Sequence, residues 1–174
     1  IILGKSVSDN STMAHLKNFV KGLFIDKKAE KQITEDYIKR LNTKTPSTEQ
    51  LVVNLSGGNQ QKVVLAKWMM TGPKVLILDE PTRGIDVGAK REIYSIIDEL
   101  AASGMAVIVI SSELPEIINM SDRVYTMYEG NLTGCISYEE GLTQEAIMKL
   151  ARLQTFRQIF SVLSRMLQRC QDGI

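Results

Sequence analysis

Cysteine is scarce in this chain of 174 residues: Cys135 and Cys170 stand far apart, in no C-x-x-C or Cys/His arrangement. That excludes a disulfide framework or a thiolate metal site as the organising device, and it favours a reduced, cytosolic compartment with both cysteines as apolar fillers. Histidine is scarcer still. His15 is the only one, in a stretch without any catalytic pattern, and it is expected to play a surface role. No apolar run approaches the roughly 20 residues needed to cross a bilayer, and no charged-then-apolar leader opens the sequence. Excess charge is absent too: 21 Lys and Arg face 20 Asp and Glu. A net charge near zero marks no nucleic-acid-binding surface, so no nucleic-acid partner is expected.

The composition that remains, 44% hydrophobic and 24% charged, is that of an ordinary domain with a real core. Ile33, Tyr37, Ile38 and Leu41 recur at helical spacing and predict an amphipathic helix within 24–41, broken at Thr45-Pro46-Ser47. Ser56-Gly57-Gly58 opens a second long helical run, which Thr71-Gly72-Pro73 stops. "KVLILDEP" reads as a strand buried on both faces that surfaces at Asp79-Glu80. A helix with Ile93, Ile96, Ile97 and Leu100 on one side follows, then a second buried strand, "MAVIVISS". Strand, helix, strand predicts a right-handed βαβ unit in a parallel sheet, with Asp79, Glu80, Ser111 and Ser112 gathered at the carboxyl ends of the strands. "DRVYTMYEG" and "NLTGCIS" read as a hairpin turning at Glu129-Gly130-Asn131.

The last stretch changes character. From Ala151 to Cys170 there are four arginines and no acid, while Leu153, Phe156, Phe160, Leu163, Leu167 and Cys170 step by three and four. That pattern predicts a basic amphipathic helix over 151–174, docked on the core or facing a partner or a membrane surface, with a truncated or frame-shifted gene end as a third reading.

Three short patterns carry chemistry. Gly4-Lys5-Ser6 ends like a phosphate-binding P-loop, but turn and cap residues follow it where a phosphate-cradling helix would begin, so it reads as a chance match. Adjacent carboxylates at the end of an apolar strand suit phosphoryl chemistry: Asp79 as a Mg²⁺ carboxylate, Glu80 as the base that orients the attacking water. In "LSGGNQQK", Ser56 can cap the helix, and the two glycines let bare amides approach an anion at its positive end. Each pattern alone is also consistent with a solvated turn or a plain capped helix.

Together and in this order, "LSGGNQQKVVLAKWMMTGPKVLILDEPTRGIDVGAK" resembles the ATP-binding-cassette (ABC) ATPases. Leu55 to Lys62 match the signature motif, Val75 to Glu80 the Walker B strand, and Gly84-Ile85-Asp86 the D-loop. "VISSELPEIINMSDRVYTMYEG" is similar to the second cassette of the double-cassette ATPases of bacterial monosaccharide import, the ribose type in particular. The resemblance runs from about Ile2 to Leu150, and it places "LGKSVSDN" well past the P-loop.

What this resemblance implies is an α/β fold: a partial ABC-type P-loop ATPase domain, with a RecA-like parallel sheet and a helical signature subdomain, lacking the P-loop strand. Residues 1–72 would form the helical subdomain, 73–150 the remainder of the ATPase core. ATP and Mg²⁺ are the implied cofactors, with Asp79 on the metal, Glu80 on the water, and Ser56, Gly57, Gly58 and Gln60 acting in trans on ATP held by the opposing cassette. Asp86 would link the two sites. Ser112 stands where the family carries its switch histidine, so hydrolysis at the site served by Glu80 is expected to be slow. The chain alone is not expected to hold ATP tightly. The implied partners are an opposing cassette, transmembrane permease subunits and, indirectly, a sugar-binding protein, at the inner face of the cell membrane. A soluble ABC ATPase without a membrane partner, and an inert interaction module, are the alternatives.

Overall fold

A computed structural model describes residues 1–152 and 158–163, with side chains through residue 150. The described chain divides into two compact units: Ile1–Pro73 with Gly84–Ile93, and Lys74–Arg83 with the described residues from Tyr94 onward.

The first unit is helical. Helix α1 (Val7–Thr12) leads through a 3-10 segment (Met13–Phe19) into a short antiparallel hairpin of β1 (Val20–Lys21) and β2 (Phe24–Ile25). Asp26 then caps α2 (Lys27–Arg40), accepting the N–H groups of Lys28 and Ala29 at 3.1 and 3.0 Å. Helix α2 ends in a Schellman arrangement. Thr43 N–H donates to the Ile38 carbonyl and Asn42 N–H to that of Lys39, with Asn42 at φ +47° taking the left-handed place usually given to glycine. Helix α3 (Gly57–Met69) follows and stops at Gly72. Val7, Val52, Leu55 and Val63 pack with Ile38 into one apolar cluster.

One long side chain fastens α3 to the end of α2. Lys62 is 1% exposed, yet its ammonium donates to the Asn42 carbonyl at 2.8 Å and meets the Glu92 carboxylate at 2.6 Å. Its methylene stem lies in the interior while its charge is met twice, which offsets the cost of burying an ion.

The second unit is built on a five-stranded sheet. Strand β3 (Val75–Asp79) pairs in parallel with β4 (Ala106–Ser111), in a register that sets Val75 opposite Ala106 and Asp79 opposite Ile110. Helix α4 (Val87–Ala102) connects them. Its apolar stripe is buried as its spacing predicts, with Ile93, Ile96, Ile97 and Leu100 all below 9% exposed. Helix α5 (Leu114–Met120) and the hairpin of β5 (Arg123–Tyr128) and β6 (Asn131–Ser137) follow. The hairpin turns on two residues with positive φ, Glu129 and Gly130, the backbone of a type I′ turn. Helix α6 (Gln144–Arg152) completes a core of Ile117, Val124, Ile136, Leu142 and Ile147.

Two expectations are corrected. Strand β3 is not buried on both faces: Leu76 and Leu78 are buried, whereas Val75 and Ile77 are 51% and 62% exposed. It is an edge strand, paired with β4 alone among the described strands, so its period is two rather than a continuous buried run. The expected basic helix over 151–174 also gives way, because Gln158–Leu163 form strand β7, antiparallel to both β4 and β5. The sheet order is β3-β4-β7-β5-β6. Strands β4 and β5 therefore run in the same direction with one lane between them, and six residues rich in β-branched and aromatic types satisfy both backbone edges at once. The other parts of that expected helix, residues 153–157 and 164–174, lie outside the described residues.

Candidate functional site

The parallel register of β3 and β4 brings their carboxyl ends side by side. Asp79 closes β3 with its side chain exposed, and Glu80 follows in the left-handed region at φ +47°. The Glu80 N–H donates to the Ile110 carbonyl at 2.8 Å, extending the ladder by one bond beyond the strand. Its carboxylate then accepts the Ser112 N–H at 3.1 Å. Asp79, Glu80, Ser111 and Ser112 are thus gathered as the βαβ topology predicts. The contact from Ser112 to Glu80 comes from its backbone; its position, not its hydroxyl, is what meets the acid.

Behind this edge lies a buried polar cluster that sequence reasoning missed. Glu116, on α5, is 2% exposed and takes a hydroxyl on each carboxylate oxygen, Thr82 Oγ1 at 2.6 Å and Ser111 Oγ on the other. Thr82 and Ser111 are each 1% exposed. The one signal in the sequence is an acid three residues after Glu113, the N-cap of α5. An acid there ordinarily reaches back to the N-cap amide. Here Ser111 Oγ takes the Glu113 N–H at 3.1 Å, which leaves Glu116 to the hydroxyls.

In the first unit, Ser56 sits at the N-cap of α3, but its hydroxyl accepts from Asn59 Nδ2 at 2.8 Å and caps no backbone amide. The expectation that Ser56 caps the helix through its side chain is therefore met in position only. Gly57 is exposed and Gly58 buried. A Cβ at Gly58 would lie 2.5 Å from the Ala89 Cβ, so only glycine fits between α3 and the start of α4, while a Cβ at Gly57 would meet the Ile85 methyl at 3.1 Å. Gln60 turns its amide inward, donating to the carbonyls of Val52 and Leu55 at 3.2 and 3.1 Å, and so shapes the loop that carries Leu55 and Ser56. Asp86 is exposed and caps α4 through the Ala89 N–H at 2.9 Å.

Gly4-Lys5-Ser6 forms no phosphate cradle. Ser6 is the N-cap of the six-residue α1, bonded reciprocally to Asp9 in a capping box: the Asp9 N–H donates to Ser6 Oγ at 3.0 Å and the Ser6 N–H to Asp9 Oδ2 at 3.4 Å, with Ser6 Oγ also donating to Asp9 Oδ2 at 2.8 Å. The Ser6 hydroxyl holds the Asp9 carboxyl below its ordinary range. His15 is half-buried, edge-on to Phe19 with ring centroids 5.9 Å apart.

A family described as "ABC transporter" matches residues 3–83, a span that takes in the signature loop, β3 and Asp79-Glu80. Just under half of the chain thus matches the ABC transporter family. Among curated relatives of that family, the ribose import ATP-binding protein RbsA of Clostridium perfringens (strain SM101 / Type A) is 57% identical over 151 residues, which is 86% of this chain and 30% of the relative. An import ATP-binding protein of Pseudomonas syringae pv. tomato, named for ribose, galactose and methyl galactoside, is 58% identical over 146 residues, 84% of this chain and 28% of the relative. The chain therefore spans less than a third of the length of these relatives. Among solved ABC structures, the ATP-binding cassette MJ1267 superposes with a TM-score of 0.69 at 22% identity, over 84% of this chain and 62% of that one, a likeness of fold. The fold is a partial ABC ATPase cassette, mixed helix and sheet, with β3 and β4 in parallel.

Proposed function

We propose that this chain is the signature- and Walker B-bearing part of an ATPase cassette that energises monosaccharide import, working with a second cassette and permease subunits at the cytoplasmic face of the membrane. The observation that supports this most directly is the pairing of Glu80 with the Ser112 amide at the ends of two parallel strands, with Asp79 exposed beside them. The names of the relatives support the sugar and the direction of transport. Among the described residues no helix is long and apolar enough to cross a membrane.

ATP and Mg²⁺ are the cofactors of this reading, and the donor set fits them in part. Among the described residues no three His, Cys, Asp or Glu side chains converge on one point. Mg²⁺ commonly takes only one or two carboxylates together with phosphate oxygens and water, and a single exposed Asp79 suits that role. When bound, the metal neutralises charge developing on the phosphates. Glu80 holds its carboxylate at a fixed place, where it orients a water in line with the phosphoryl group. The Ser112 N–H tethers one of its oxygens and leaves the other for that water. Ser112 offers no imidazole to move a proton, so turnover at this site is slow. Ser56 and the Gly57 amide, both exposed, present a hydroxyl and a backbone donor to phosphate bound elsewhere. This chain therefore contributes more to the opposite site than to its own, and Asp86 lies between the two roles in sequence.

A segment exchange tests the proposal. The 151-residue stretch of the Clostridium perfringens ribose import protein is replaced by the matching stretch of this chain, and ribose uptake by cells carrying the chimera is measured. Uptake near the parent level is the expected result. Ser56→Arg in the chimera should abolish uptake, whereas Glu80→Gln should reduce it several-fold at most. A well-expressed chimera that hydrolyses ATP without moving ribose, ribose analogues or galactosides would favour a soluble ATPase and overturn the transport reading.

A further inference from the structure

A buried carboxylate ordinarily sits beside a cation, because an isolated one is costly to desolvate. Glu116 does not: among the described residues no cation lies within ion-pair distance of it, and its two oxygens are met by Thr82 and Ser111. Thr82 follows Glu80 by two residues on the turn after β3, and Ser111 precedes Ser112 at the end of β4. The contacts close a ring. It runs from the Glu80 carboxylate to the Ser112 N–H, along the chain to Ser111, across Glu116 to Thr82, and back through Pro81 to Glu80.

The ring encloses the one residue of this edge whose backbone is unfavourable. Glu80 stands at φ +47°, a conformation that residues with a Cβ rarely adopt and that persists only where its surroundings over-determine it. The Glu80 N–H to Ile110 fixes one side of that peptide. Thr82, pulled down onto Glu116, fixes the other.

We propose that Glu116 is a positioning residue for Glu80: by drawing Thr82 and Ser111 onto one carboxylate it holds the turn after β3 against the end of β4, keeps Glu80 in its left-handed conformation, and sets the Ser112 N–H within reach of the Glu80 carboxylate. A carboxylate suits the task better than an amide, since both of its oxygens accept and both hydroxyls must donate. Glutamine at 116 turns a donor toward one of them. The absence of a nearby cation among the described residues also has a use, because neither hydroxyl competes with a stronger donor for the same oxygen.

The effect on catalysis rests on the reading of Glu80 as the base. The ring itself does not, and it is read without nucleotide or activity. Amide hydrogen exchange of the purified chain is followed by NMR at Ser112, with Val124 in the core of the same unit as the internal reference. Glu116→Gln is expected to speed exchange at Ser112 by about tenfold, the loss of one hydrogen bond of ordinary strength, and to leave Val124 unchanged. In a Glu80→Ala background, where the acceptor is already gone, the same substitution should add nothing at Ser112. Thr82→Val, which removes one hydroxyl at constant shape, is the second variant, read in the same way if Glu116→Gln does not fold. Equal acceleration at Ser112 and Val124 would make Glu116 a plain stability residue. Unchanged exchange at Ser112 in a folded variant would likewise overturn the proposal. A well-expressed chimera that fails to hydrolyse ATP, alongside the expected exchange pattern, would remove the catalytic reading and leave the positioning role standing.

Discussion

The two units solve the same problem, a charge inside a small core, in different ways. In the first unit the buried charges are ion-paired: Lys62 with Glu92, and Glu30 with Lys27 at 2.7 Å as well as with the Thr12 hydroxyl at 2.6 Å. In the second unit the buried carboxylate of Glu116 is held by hydroxyls. The difference follows from what each acid must hold. Lys62 and Glu30 fasten helices whose ends reach solvent, so one member of each pair can stay hydrated: Glu92 is 44% and Lys27 68% exposed. Glu116 fastens two strand ends next to Asp79 and Glu80, where Thr82 and Ser111 are short enough to sit beneath a loop. Ion pairs in the first unit keep one charged partner in solvent, whereas in the second, among the described residues, hydroxyls alone meet the acid.

The largest expected effect falls on Lys62. Lys62→Met keeps the buried stem and removes the ammonium, stranding the Asn42 carbonyl at the end of α2. It should cost about 2 to 3 kcal/mol, below the usual cost of breaking a fully buried pair because half-exposed Glu92 can rehydrate. The single tryptophan, Trp68 on α3, lies in the first unit, so its fluorescence in a urea titration reads this loss directly. An unchanged midpoint would mean that the pair contributes nothing and that the contrast between the units is empty.

Packing at the signature loop comes next. Gly58→Ala sets a methyl where the Ala89 Cβ already stands, and should lower stability by about 2 kcal/mol. Gly57→Ala, facing an Ile85 methyl that can yield, should cost less than half of that. Thermal melting of the two variants side by side checks the order, and a reversed order would place the tight contact on the wrong glycine.

The smallest effect concerns acid. The Lys62 ammonium holds the Glu92 carboxyl below its ordinary 4.5. A carboxyl depressed in the folded state adds stability that is fully present above 4.5 and is lost as pH falls through the lowered folded value. Glu92 is nearly half exposed, so screening keeps the increment small. Trp68 fluorescence during acid unfolding should therefore shift slightly in Glu92→Gln, with the parent and the variant converging at the acid end. Divergence that grows toward low pH would reverse the sign and refute the assignment.

Much of this was legible in the sequence, for reasons visible in particular residues. The stripe of Ile93, Ile96, Ile97 and Leu100 is local, and it gave α4 correctly; the apolar runs around it gave β3, β4 and their parallel pairing. The gathering of Asp79, Glu80 and Ser112 followed from that topology alone. Lys62 was hidden, because a lysine on a helix reads as exposed until the carbonyl of Asn42 is known to lie above it. Glu116 was hidden for the same kind of reason, as its partners come from two other loops. The error at Gln158–Leu163 was of another kind. Apolar residues at steps of three and four satisfied a helical template, while the deciding influence was two strand edges far upstream in the chain, those of β4 and β5.

That arrangement also sets an order of events during synthesis. Strand β7 is the last described strand in sequence and the middle one in space. A chain leaving the ribosome presents β4 and β5 long before the strand that joins them, and each carries an open row of amides and carbonyls in the interval. The sheet of the second unit cannot close before Leu163 has emerged, whereas every residue of the first unit is available by Ile93. The helical unit is thus free to fold first, and the sheet that carries Asp79 and Glu80 is the part of the molecule most in need of protection while it waits.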